Sequence, residues 1–125
     1  MDPPIQIDGD LSDWSDIPGA LIMQDRSHAT WGTGNWTGPE DCSGIVRLAW
    51  RHDGLKIAAE VTDDIFQQPF ADENLWRGDY ISLVLDMQPT LEPARELYGQ
   101  GQYQLAFSPG EFKQVPAMVH LYRPQ

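Results

Sequence analysis

Apolar and polar residues alternate with a period of two along much of the chain, the signature of half-buried strands. From Gly44 to Trp50, Val46, Leu48 and Trp50 alternate with Ile45, Arg47 and Ala49. Arg51-His52-Asp53-Gly54 then reads as a tight turn, with Gly54 suited to a positive φ. The return strand, Leu55 to Thr62, sends Leu55, Ile57, Ala59 and Val61 to one side and Lys56 and Glu60 to the other. A second pair follows the same rule. Tyr80 to Asp86 sets Ile81, Leu83 and Leu85 against Tyr80, Ser82 and Val84, and Gln102 to Ser108 sets Tyr103, Leu105 and Phe107 against Gln102, Gln104 and Ala106. The polar sides of these two strands are placed to line a shared concave face. Ala117 to Tyr122 and Ala20 to Gln24 read as further strands.

Helical signal is confined to Thr90 to Tyr98, where Pro93 limits it. The 11 Gly and 10 Pro residues are spread as punctuation between short apolar runs, which is how many strands joined by turns are written. Trp31 to Ser43 forms a Gly-rich, Trp-bearing loop too long for a hairpin tip. The pattern predicts an all-β fold, an antiparallel β-sandwich, with residues 1–125 forming one domain.

Composition narrows the choice of partner. Hydrophobic residues at 41% and charged residues at 22% suit a globular chain and argue against disorder. The formal charge of −11, with only 8 scattered basic residues, removes the electrostatic route to nucleic acid or to an anionic membrane. A neutral ligand with an accompanying cation fits that balance. No apolar run approaches the roughly 20 residues of a membrane-spanning helix. Met1-Asp2-Pro3-Pro4 carries neither the basic nor the apolar region of a signal peptide. Cys42 stands alone, and Glu40 and Asp41 beside it disfavour a reactive thiolate.

The candidate chemistry centres on Trp76, in the polar stretch Asp72-Glu73-Asn74-Leu75-Trp76-Arg77-Gly78-Asp79. The plainer fate for a Trp is core packing, but these neighbours predict an exposed ring. An indole face attracts the C–H face of a sugar, with about 1 kcal/mol per contact by analogy with aromatic pairs. Carboxylates at Asp63, Asp64 and Asp79, with Asp8, Asp10 and Asp13 near the amino end, suit sugar hydroxyls or Ca²⁺. No EF-hand spacing occurs, and turn capping is the competing role for these acids, above all in Asp8-Gly9-Asp10.

Catalysis has little to stand on. Glycosidase carboxyls sit roughly 5 to 9.5 Å apart across a cleft, a geometry that Glu60, Asp63 and Asp64 on one strand end do not guarantee. His28, His52 and His120 are isolated, and no zinc, serine-nucleophile or phosphate-loop motif is present. Trp31-Gly32-Thr33-Gly34-Asn35-Trp36 lacks the Lys and the strand-to-helix context of a phosphate cradle.

In order and spacing, several segments together resemble the family 9 carbohydrate-binding modules. They are Ile7-Asp8-Gly9-Asp10-Leu11-Ser12-Asp13-Trp14, the hairpin from Val46 to Asp64, the block from Asn74 to Asp86, and the strand from Gln102 to Ser108. The resemblance implies a jelly-roll-like β-sandwich of the DOMON type, structural calcium, and binding of glucan- or xylan-type oligo- or polysaccharide by a module of a secreted bacterial protein. It casts Trp76 as one wall of an aromatic clamp, Asp63 as a carboxylate accepting from sugar hydroxyls, and Arg77 as a neighbouring contact. Asp8, Asp64 and Asp79 become the calcium ligands. Two positions depart from the family pattern: Ser82 stands where a Glu is expected and Gln104 where an Arg is expected, which removes charge from the polar floor. The family also runs on beyond the strand resembling Ala117 to Tyr122. That predicts missing final strands, a homodimer through open sheet edges, and a second clamp wall supplied by Trp36 or Trp31.

Two other classes stay open. A haem-binding DOMON-type redox domain would draw axial ligands from Met23, Met87, Met118 and His120. A plain structural or interaction module would turn Trp76 inward.

Overall fold

A computed structural model describes residues 4–88, 101–111 and 114–122. Among them, two antiparallel three-stranded sheets carry almost all of the regular structure. The chain divides into two compact units, Met1–Ile65 and Phe66–Gln125, and each holds one sheet.

The first unit contains β1 (Leu21–Met23), β2 (Cys42–Arg51) and β3 (Gly54–Asp63), hydrogen-bonded in the order β1-β2-β3. The β2–β3 hairpin is longer than its apolar alternation alone predicts, because Cys42 and Ser43 pair with Asp63 and Thr62 to continue the ladder. Its tip closes where Arg51 pairs with Gly54 across His52 and Asp53. Gly54 has φ +136°, a conformation that a side chain would strain.

Register sorts this sheet into two unlike faces. Val46, Leu48, Trp50, Leu55, Ile57, Ala59 and Val61 share one of them, joined by Leu21 and Met23 from β1. Ala49 and Ala58 lie on the other face among Arg47, Lys56 and Glu60. These small side chains make a seat for a large ring. Trp14 is buried with them, and Ile5, Leu11 and Ile17 pack around the group. The core of this unit thus forms on the mixed face, under the amino-terminal segment.

The second unit contains β4 (Ile81–Asp86), β5 (Gln102–Ser108) and β6 (Met118–Tyr122), in the order β4-β5-β6. Register places Ile81, Leu83, Leu85, Tyr103, Leu105, Phe107, Val119 and Leu121 on one apolar face. The opposite face carries Ser82, Ala106 and His120 in one row and Val84, Gln104 and Tyr122 in the next.

The described helical structure is limited to 3₁₀ turns at Ser12–Trp14, Arg26–His28 and Asp72–Arg77. Such turns are too short to leave a periodic trace in the sequence. The predicted helical turn at Thr90 to Tyr98 lies outside the described residues. No described helix is long and apolar enough to cross a membrane.

Candidate functional site

The turn Asp72–Arg77 packs on β5 and β6 of its own sheet. Two adjacent residues in it take opposite fates. Leu75 is completely buried, whereas Trp76 is 62% exposed. The turn starts at Asp72 in a left-handed conformation, φ +52°, which Asp tolerates better than most residues. The Asp72 N–H points at the sulfur of Met118, 3.4 Å away.

Further contacts hold the turn in place. Tyr122 donates its hydroxyl proton to the Glu73 carbonyl at 3.2 Å. Burial holds that phenol above its ordinary value of 10.0; the Tyr80 side chain adds to the rise and the Trp76 backbone N–H, donating to the hydroxyl oxygen, opposes it. Gln68, buried to 1% exposure, lies under the turn. Its Nε2 donates to the Leu75 carbonyl at 3.1 Å and to the Asp79 carbonyl at 2.7 Å, while its Oε1 accepts from the Phe70 N–H at 3.2 Å. Gln67 and Asp79 complete the frame. The Asp79 N–H donates to the Gln67 carbonyl at 2.8 Å, and the Asp79 carboxylate accepts from the Gln67 N–H. Gly78 admits this closeness, since a Cβ there would lie 2.5 Å from Gln68 Oε1 and 2.7 Å from the Gln67 carbonyl oxygen.

The remaining expected sugar contacts divide by unit. Ser82 and Gln104 are brought together in the second unit. Gln104 Nε2 donates to Ser82 Oγ at 3.0 Å, diagonally across the β4–β5 ladder. The two positions where charge was expected thus hold a neutral, mutually satisfied pair. His120 and Tyr122, on the same sheet face, stack edge to face with centroids 4.6 Å apart. Arg77 lays its guanidinium over the Phe70 ring, 4.6 Å from the centroid, a cation–π contact that occupies its planar face.

Asp63, Trp36 and Trp31 belong to the first unit. Asp63 ends β3, and its Oδ1 accepts from the Ile65 N–H at 3.0 Å, a turn-capping bond that leaves the second oxygen for other use. Trp36 is half-buried and donates its indole N–H to the Cys42 carbonyl at 2.8 Å. Arg26 ties the same loop by donating to the Thr33 carbonyl at 3.0 Å and to the Trp36 carbonyl at 3.5 Å. Trp31 extends from this knitted loop at 94% exposure. Of the two indoles considered as alternatives for the second clamp wall, Trp36 is built into the loop and Trp31 is displayed by it.

Of the acids expected to hold calcium, Asp8 and Asp79 accept backbone N–H bonds. Asp8 Oδ1 accepts from the Asp10 N–H, and Asp10 Oδ1 from the Ser12 N–H, each at 2.9 Å. The Ser12 bonds hold the Asp10 carboxyl below the usual carboxylate range. The Asp79 carboxylate is engaged by Gln67 as described, and Asp64 is exposed just after β3. Among the described residues, no group of three or more His, Cys, Asp or Glu side chains is gathered so as to hold an ion. A short side chain beside a turn meets its nearest donors first, and these are backbone N–H groups.

The residues considered as haem ligands have other surroundings. Met118 meets the Asp72 N–H, His120 stacks on Tyr122, and Met23 and Met87 are exposed on separate units. Sequence reasoning missed Gln68 and Tyr122. Neither leaves a signal, because a buried amide and a strand tyrosine acquire these roles only when the turn folds over them.

Comparison of the chain with family models, with curated proteins and with solved structures finds no match.

Proposed function

We propose that this chain is a non-catalytic carbohydrate-binding module of the β-sandwich class. It holds a glucan- or xylan-type sugar against the Trp76 indole as part of a secreted protein. One observation carries the reading: an ordered turn keeps a Trp ring 62% exposed while burying its neighbour Leu75 completely. Leaving an indole in water forgoes burial worth about 25 cal/mol per Å² of apolar surface. A fold that spends several hydrogen bonds to keep that ring outside has a use for its face.

The C–H face of a pyranose is a suitable occupant, since it is apolar, flat and neutral. It needs no electrostatic attraction from a chain of formal charge −11. The neutral Ser82–Gln104 pair, in the same unit as Trp76, supplies the polar groups proposed to meet sugar hydroxyls. The sandwich belongs to the same proposal. Each sheet by itself has one predominantly apolar face.

Isothermal titration calorimetry against soluble glucans, xylans and their oligosaccharides, with and without chelator, tests the reading. We expect binding by the native chain. Trp76→Ala should weaken it about fivefold or more, since each lost stacking contact of about 1 kcal/mol is roughly a factor of five. The chelator arm reports whether an ion takes part. Absence of binding to every sugar, or equal binding by Trp76→Ala, would overturn the proposal.

A further inference from the structure

We infer that Gln68 is the positioning residue of the Trp76 platform, fixing the direction in which the indole meets its ligand. The inference rests on the carbohydrate reading only for the identity of that ligand. A six-residue 3₁₀ turn has little stability of its own, so its geometry must be imposed by what lies beneath it. Gln68 is placed to impose it. Its two Nε2 protons go to the carbonyls of Leu75 and Asp79, which bracket Trp76 along the chain. Its Oε1 takes the Phe70 N–H, so both ends of the buried amide are engaged. A buried amide satisfied in this way has one orientation, because rotating it would break bonds to groups shielded from water. The backbone on either side of Trp76 is thereby pinned, and the ring retains only its own two torsions.

This arrangement cuts the ordering cost of binding, which is where a weak stacking contact gains or loses most. Gly78 belongs to the same device, because any side chain there would displace the Gln68 amide.

The test uses the 125-residue chain labelled with 5-fluorotryptophan, whose five indoles give five ¹⁹F resonances; Trp76→Phe assigns the one from position 76. Gln68→Met keeps the volume and removes the bonds. We expect it to shift or broaden the Trp76 resonance, leave the other four unchanged, and lower affinity for cellohexaose or xylohexaose about tenfold. Gly78→Ala displaces the amide without removing it and should reproduce both effects, so it decides the matter if Gln68→Met does not fold.

A folded variant with an unmoved Trp76 resonance would overturn the inference. So would loss of all five native resonances in both variants, which would make Gln68 a support of the whole unit rather than of the turn. If Gln68→Met moves the Trp76 resonance but Trp76→Ala leaves sugar affinity unchanged, the carbohydrate reading fails and the positioning role stands.

Discussion

Trp14 and Trp76 sit on the same local device and meet opposite environments. Each lies on a 3₁₀ turn with acidic residues in its opening, Asp13 in one and Asp72 and Glu73 in the other. Trp14 is 2% exposed and rests on Ala49 and Ala58, whereas Trp76 faces outward. The difference lies in what shares the turn. In Ser12-Asp13-Trp14 the indole is the one large apolar group available to fill the space over two alanines. In Asp72–Arg77 Leu75 occupies the interior place one residue earlier, and the next side chain must point elsewhere. A tryptophan's role is therefore set by its phase within the turn and by the size of the residues beneath it.

The largest expected effect breaks the buried half of this comparison. Trp14→Ala should cost about 3–5 kcal/mol and Leu75→Ala about 2–5 kcal/mol by urea denaturation, each leaving a cavity. Trp76→Ala should change stability by no more than about 0.5 kcal/mol, as for other surface substitutions. A Trp76→Ala loss as large as that of Trp14→Ala would erase the distinction.

The Trp-bearing loop sharpens it at smaller amplitude. Trp36→Phe deletes the donor to the Cys42 carbonyl and should cost about 1 kcal/mol. Trp31→Ala should lie within about 0.5 kcal/mol of the native chain.

The smallest effect concerns Tyr122, whose phenol is held above 10.0 by burial. Its contribution is intact below the unfolded value of about 10 and is lost as pH rises through the higher folded value. Stability measured across that alkaline range should fall more steeply for the native chain than for Tyr122→Phe. Tyrosinate absorbance should lose a step lying above pH 10 in that variant.

The strands were legible in the sequence because a period of two survives wherever one sheet face is apolar. Val46-Arg47-Leu48 and Leu83-Val84-Leu85 both lie where alternation places them. The hairpin tip was legible because Gly54 permits a backbone that other residues resist. Trp76 was legible as an exposed ring from its polar neighbours. The framework beneath it was not. Gln68 reads as one more polar residue, and its importance comes from carbonyls seven and eleven positions away. The acids were ambiguous for a related reason: carboxylates close in sequence satisfy a metal or a backbone turn equally well on paper, and only coordinates show Asp8 bonded to Asp10.

The display of indoles has a spectroscopic consequence. Trp31, Trp50 and Trp76 all stand largely in water, so their excited-state dipoles relax against mobile solvent while the protein is still folded. The emission of the native chain is thereby drawn toward that of the unfolded chain. Trp14 is left as the ring whose colour changes most on melting, so a fluorescence-monitored transition chiefly follows the amino-terminal unit.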